Sequence, residues 1–287
     1  AALDHLDHIV VGHRRGERDL GTVRRARRAW LPVADLQIHP EAQRRLNQSW
    51  VKAQIPLFDI EALGLLVVGT CDGIYYVIDG QHRAELIRAV GWGDQNVECE
   101  VYDDMTLPEM AHEFLLRNRK INIRTFDKFR IRVTADEPIP VAIQTIVTNH
   151  GLVLSDQSAS PNNVTAVVAM EKVYRGGGMT ISEKLGALAL NRALGVIVTA
   201  WDRSAASLAG TLIEGIGLMF LRYGQHVELD ALAKKLAAVS GGPSGLIGRG
   251  RGLRELRGGS VPYCLAGTVV EMYNRGRRTG KLESWWK

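Results

Sequence analysis

The side chains with the clearest chemical potential lie together between Asp79 and Glu85. His82 and Arg83 can donate hydrogen bonds to an anion, whereas carboxylates bind divalent cations or act as general bases. His82 and Glu85 are three residues apart, a spacing that places both side chains on one face of a helix. The catalytic candidates are therefore Asp79, His82 and Glu85, with one Mg²⁺ or a general base as the implied chemistry. The simpler role for Asp79 is to cap the helix.

The flanking sequence indicates a strand, a tight turn and a helix. The apolar run Ile74 to Ile78 is typical of a buried strand, and Gly80 allows a turn that a side chain would resist. Apolar residues then recur at helical spacing from Arg83 until Gly91, a residue type that commonly ends helices. Free N–H groups at the helix start would form an anion site. The alternative is an ordinary strand-to-helix turn with solvated side chains.

The string Asp79 to Arg83 resembles the DGQHR motif of one branch of the ParB/sulfiredoxin superfamily. In that superfamily the turn binds the phosphates of a nucleoside triphosphate. The resemblance therefore implies a phosphate or nucleotide site at Gly80, Gln81, His82 and Arg83, with CTP or ATP and Mg²⁺ as the expected cofactor. No metal ligands are assigned. Sulfiredoxins carry a cysteine where this chain has Gln81, so we do not expect their reductase activity.

A second basic segment follows in the order that the resemblance requires. Asn118, Arg119 and Lys120 match in kind the box that completes the phosphate site in ParB proteins. We expect these side chains to close on phosphates held at the Gln81–Arg83 turn through charge-assisted hydrogen bonds. The alternative is a solvated basic helix end, which complements the helix dipole.

Composition limits the classes of protein to which the chain can belong. The 287 residues carry a net charge of +5 and only three cysteines, Cys71, Cys99 and Cys264. The charge mildly favours a nucleic-acid or phosphate partner. The cysteines match no zinc or disulfide pattern, which favours a reducing cytoplasm. No apolar run approaches the ~20 residues needed to cross a bilayer, so we expect no membrane partner.

The pattern of elements predicts an α+β protein: a ParB/sulfiredoxin-like domain followed by an all-helical domain. We divide the chain into a basic arm (1–30), a DGQHR domain (31–135) and a helical domain with a Gly/Arg-rich tail (136–287). Helices are predicted over Glu41 to Ile55 and from Thr106, where Pro108 and Glu109 complete a helix-start pattern. Val97 to Tyr102 alternates as a strand does.

The C-terminal stretch is rich in glycine and arginine and is predicted to be a loop that follows a phosphate backbone. Its candidate DNA-binding residues are Arg249, Arg251, Arg254, Arg275, Arg277 and Arg278. This end resembles a family of actinobacteria and their phages that joins a DGQHR domain to a helical half. We therefore expect a DNA-binding homo-oligomer whose turn binds a nucleotide or a DNA phosphate. The alternative is a metal-dependent nuclease or an NTPase that uses the same turn.

Overall fold

The computed structural model describes residues 25–119, 123–157 and 160–286. These residues form two compact units, with the boundary between Pro138 and Ile139. The predicted boundary lies three residues earlier, after Ala135. Both helices and strands are present, so the α+β class is confirmed. No helix among the described residues is long and apolar enough to cross a membrane.

The first unit is built on a mixed sheet, in which the described strands follow the order β1-β5-β3-β4-β2. β1 with β5 and β3 with β4 are antiparallel pairs, whereas β5 with β3 and β4 with β2 are parallel. The predicted hairpin that leads into the DGQHR turn is confirmed as β3 and β4. The strands are β1 Arg27–Pro32, β2 Leu36–Gln37, β3 Leu66–Cys71, β4 Ile74–Asp79 and β5 Asn96–Tyr102.

Helices cover both faces of this sheet. Ala84 and Ile87 of α2 pack on one face against Val68 and Val77, while Phe114 of α3 belongs to a separate core on the other face. The predicted capping box at Thr106 and Glu109 is confirmed and fixes the start of α3. The helices are α1 Gln48–Gln54, α2 Gln81–Ala89, α3 Leu107–Arg117 and α4 Thr125–Thr134, with 3-10 turns at Val33–Asp35, Ile55–Leu57 and Glu61–Leu63.

The second unit is mainly helical, and its core is formed by three long apolar helices, α7 (Glu183–Trp201), α8 (Gly210–Tyr223) and α11 (Val261–Asn274). A two-stranded parallel sheet, Val153–Leu154 with Asn163–Val164, corrects the prediction of an all-helical domain. The elements are α5 Pro138–Asn149, β6 Val153–Leu154, β7 Asn163–Val164, α6 Val167–Tyr174, α7 Glu183–Trp201, α8 Gly210–Tyr223, α9 Leu229–Ala237, α10 Gly242–Arg257 and α11 Val261–Asn274, with a 3-10 turn at Gly224–His226.

Two further predictions about local structure are wrong. The helix expected over Glu41 to Ile55 begins only at Gln48, because Asn47 caps it through Trp50 N–H. The Gly/Arg-rich stretch forms the helix α10 rather than a loop, because Leu246 is buried and Gly250 packs closely on Leu265 of α11.

The predicted basic arm also differs from the structure where it is described. Residues 1–24 lie outside the described part of the chain. Arg27 and Arg28 belong to β1 and pair with Asp103 and Glu98.

Candidate functional site

The turn between β4 and α2 depends on Gly80. Its backbone is left-handed, with φ of 103°, and a Cβ atom there would lie 2.4 Å from Leu66 Cδ2. A side chain is therefore excluded both by conformation and by space. As a result, the chain leaves β4 and enters α2 within one residue, and Gln81, His82 and Arg83 form the first turn of the helix.

The start of α2 has hydrogen-bond donors without acceptors. The first bond into the helix is from Ala84 N–H to Gly80 O at 2.9 Å, and no side chain caps the helix. The N–H groups of Gln81, His82 and Arg83 therefore have no intrahelical acceptor. The side chain of Gln81 is only 7% exposed, and its Oε1 is buried without a hydrogen-bond partner among the described residues.

The guanidinium of Arg83 holds the fold of this region together. Its Nη1 donates to the carbonyl oxygens of Leu63 at 2.6 Å and Leu65 at 2.9 Å, and its Nη2 pairs with Asp79 at 3.2 Å. Most of its donor capacity is thus used inside the protein. Asp79 does not cap α2 through its side chain but instead balances the charge of Arg83.

His82 is a neutral imidazole in this arrangement. Its Nε2 accepts a hydrogen bond from Asn47 N–H at 3.0 Å, so the ring proton belongs on Nδ1. Burial, and after it the nearby Arg44 guanidinium, lower the pKa of His82 below 6.5. The edge of the ring also meets Trp50, with 5.5 Å between the ring centroids. The lone pair that a general base requires is therefore occupied by Asn47.

A pocket of about 510 Å³ opens in front of the first turn of α2. It is bounded by the β4–α2 turn, the C-terminal end of α3 and the chain that precedes α1. Eight of its eleven described lining residues are polar or charged, and Phe114 and Trp50 add apolar surface. The lining residues are Gln43, Arg44, Asn47, Trp50, Asp79, Gly80, Gln81, His82, Arg83, Phe114 and Asn118.

The residues before α1 were missed as site residues because their spacing was interpreted as helical. We call residues 40–47 the Arg44 segment. It runs along the pocket, and its Gln43 side chain donates to the carbonyl oxygens of Val77 and Ile78 at 2.9 and 2.6 Å. Arg44 lines the pocket, is partly buried and has no hydrogen bond or ion pair to another described residue. The basic pair Arg44–Arg45 was the only signal in the sequence.

Two of the three predicted catalytic residues, Asp79 and His82, line the pocket. Asp79 lines the pocket and pairs with Arg83, whereas Glu85 pairs with Arg88 and is not part of the lining. Within the described residues, no group of three or more histidine, cysteine, aspartate or glutamate side chains is placed to hold a metal ion. Asp79 is the one described carboxylate that lines the pocket, and the Mg²⁺ expected with a nucleotide stays a prediction.

The second predicted half of the site is only partly in place. Asn118 lines the pocket at the C-terminal end of α3, is 4% exposed and donates from Nδ2 to Phe114 O at 2.9 Å. Arg119 is exposed and is not among the lining residues. Lys120 lies outside the described residues, so its predicted approach to Arg83 stays a prediction.

The predicted DNA-binding arginines of the second unit fall into two groups. Arg277 is held by Glu228 and by the ring of Tyr273, whose centroid is 4.4 Å from the guanidinium carbon. The others are exposed, although Arg254 lies 4.0 Å from Glu255. Arg249 Nη1 contacts Met272 Sδ at 4.0 Å, which brings α10 close to the end of α11, where Arg275 follows.

Comparison with known proteins gives a family but no activity. The model of a family described as "Family of unknown function (DUF6551)" matches residues 40–247, a range that includes the Arg44 segment, the β4–α2 turn and Asn118. No curated protein and no solved structure matches the chain.

Proposed function

The chain belongs to the DUF6551 family, and we propose that it binds the phosphate of a nucleotide or of DNA in the pocket at the start of α2. The observation that carries the proposal is the first turn of α2, where three N–H groups without intrahelical acceptors face a pocket lined by Arg44, which pairs with no described residue. The buried Oε1 of Gln81 is an acceptor without a donor among the described residues, which costs about 1–3 kcal/mol. A hydroxyl or amino group of a nucleotide would supply that donor, whereas a phosphate oxygen would not.

Charge in the pocket supports an anionic ligand. Arg44 contributes a cation without a counterion among the described residues, while the one lining carboxylate, Asp79, is balanced by Arg83. The positive end of the α2 dipole points to the same place. The backbone N–H groups of the first turn of α2 and the guanidinium of Arg44 would therefore hold the phosphate. The resemblance of the DGQHR turn to phosphate-binding ParB-like domains points to the same ligand.

DNA binding would also draw on the second unit. Exposed arginines on α10 and after α11 provide the positive charge that a phosphate backbone attracts without regard to base sequence. The contact of Arg249 with Met272 makes the two arginine clusters of the sequence neighbours in space. We propose that this surface contributes affinity for DNA, and that the pocket holds a single phosphate group.

The test is a binding screen on the full chain. Calorimetry with inorganic pyrophosphate, CTP and ATP measures the pocket, and fluorescence anisotropy with labelled duplex DNA measures the arginine surface. Competition of pyrophosphate with DNA would show that a DNA phosphate enters the pocket. Absence of competition would assign the pocket to a small ligand. A protein that binds none of the three anions in the calorimeter refutes the proposed site. Hydrolysis of the nucleotides or of plasmid DNA in the presence of Mg²⁺ would favour the enzymatic alternative.

A further inference from the structure

We propose that Arg44 is the cation that binds the phosphate, and that His82 is a positioning residue that holds the Arg44 segment against the first turn of α2. This inference rests on the proposed function and assigns within it a residue outside the DGQHR string. It also reassigns His82, from a group that acts on the ligand to a group that acts through Arg44.

The first step of the argument is the contrast between Arg44 and the other arginines of this unit. Arg83 donates to two carbonyl oxygens and a carboxylate, and Arg88 donates to the carbonyl oxygens of Val33 and Leu36 and pairs with Glu85. Arg44 has no such bond to a described residue, although it is partly buried beside the pocket. A guanidinium with five free donors facing a pocket is complementary to an oxyanion.

The second step is the way the Arg44 segment is held in place. Arg130 donates to the carbonyl oxygens of Pro40 and Gln43, and the Gln43 side chain donates to the end of β4. These bonds fix the part of the segment before Arg44. After Arg44, Asn47 N–H donates to Nε2 of His82. His82 is therefore the anchor that joins this end of the segment to the helix start.

The third step concerns protonation of His82, which would break its contact with Asn47. Protonation of Nε2 would replace the acceptor with a donor facing Asn47 N–H, and would add a cation beside Arg44. The charged groups that face the pocket around His82 are Arg44 from the segment, and Asp79 with Arg83 from the turn and the helix. Asp79 is already paired, so it does not compensate a second cation. Acidification should release the segment and weaken phosphate binding.

The direction of the pH effect follows from the neutral form. Burial lowers the pKa of His82 below 6.5, so the imidazole is neutral at pH 7.5 and the anchor is intact. The anchor is lost as the pH falls through that lowered pKa. Pyrophosphate also changes its charge over this pH range. The affinity of the wild type at each pH is therefore divided by that of His82→Gln, whose side chain does not titrate, so that the effect of the ligand cancels.

The experiment is calorimetry with inorganic pyrophosphate on the full chain in a series of buffers from pH 7.5 down to pH 4.5. We expect Arg44→Gln to bind about ten- to a hundredfold more weakly, because a charge-assisted hydrogen bond is lost. The matched control is Lys52→Gln, which removes the same charge from an exposed position on α1 outside the pocket lining and should leave binding unchanged. Circular dichroism and the melting temperature confirm that each variant is folded.

Two substitutions of His82 distinguish a role in positioning Arg44 from a general role in stabilising the fold. His82→Gln keeps a neutral acceptor for Asn47 N–H and should bind like the wild type at pH 7.5 but more tightly than it at the acidic end of the series. His82→Leu removes the acceptor and should bind about tenfold more weakly than His82→Gln throughout the series. The proposal is overturned if Arg44→Gln binds like Lys52→Gln, or if the ratio of wild type to His82→Gln does not change with pH. A wild type that binds none of pyrophosphate, CTP and ATP overturns the proposed function as well.

Discussion

The buried Oε1 of Gln81, which has no hydrogen-bond donor among the described residues, leads to two predictions for one substitution: stability should rise and anion affinity should fall. Gln81→Met keeps the length and approximate volume of the side chain but removes the carbonyl that has no donor. Because an unsatisfied buried acceptor costs about 1–3 kcal/mol and a volume-conserving substitution costs less than about 1.5, the variant should be more stable by about 1 kcal/mol. For a unit of this size, that corresponds to a melting temperature about 4 °C higher.

The same substitution should weaken anion binding. Gln81 lines the pocket, and its Nε2 group is an N–H donor to phosphate that a thioether lacks. Loss of one hydrogen bond to a charged group predicts affinity for pyrophosphate lower by about tenfold. A gain in stability with a loss of binding is the expected behaviour of a residue retained for its ligand rather than for the fold.

Urea unfolding and calorimetry with pyrophosphate measure the two effects on the same samples. Gln48→Met is the matched control, because Gln48 is exposed on α1 and does not line the pocket, and it should change neither quantity. A less stable Gln81→Met protein would mean that the amide has a partner inside the protein. Unchanged affinity would mean that the ligand does not reach this side chain. Either result refutes the reasoning.

Three further predictions concern the second unit. Replacing the exposed arginines with glutamine should lower the salt dependence of DNA binding by about 0.9 per lost phosphate contact, measured as the slope of log affinity against log salt. That set is Arg249, Arg251, Arg275 and Arg278. Gly186→Ala should prevent folding of this unit, because the added Cβ would lie 1.8 Å from Tyr174 O. Gly248→Ala is the control: a Cβ there meets open space, so thermal melts should show α10 stabilised by about 1 kcal/mol. His150 is buried against Asn191 and burial lowers its pKa, so urea melts should show this unit losing stability as the pH falls below 6.5, and His150→Gln should reduce that loss.

The parts of the first unit that could be predicted from sequence are those that local chemistry determines. The strand Ile74–Asp79, the left-handed Gly80 and the start of α2 lie within a few consecutive residues, and each has a distinct residue preference. The capping box is likewise determined by four consecutive residues, Thr106 to Glu109. Turn and cap chemistry of this kind does not depend on distant packing, so the candidate anion site at the helix start was predictable.

The other half of the pocket depends on contacts that no local pattern contains. Ala42, Leu46 and Trp50 have helical spacing, yet the chain before Gln48 is not helical. Arg130, which holds Gln43 O, is 87 residues away in the sequence. Tertiary hydrogen bonds of this kind override local propensity. The Gly/Arg stretch shows the same effect, because packing on α11 makes it helical despite its glycines.

Arg83 and Arg44, the two arginines among the described residues that line the pocket, therefore differ in what their substitution can test. Arg83 is the arginine of the motif and the natural target for mutation, but Arg83→Ala would leave the carbonyl oxygens of Leu63 and Leu65 without their donor and Asp79 without its counterion. Loss of phosphate binding in that variant would not distinguish a lost ligand contact from a disordered turn. Arg44 supports no described element by hydrogen bonds, so its removal changes the charge of the pocket and leaves the scaffold intact. The residue outside the motif is for that reason the more direct test of what the motif binds.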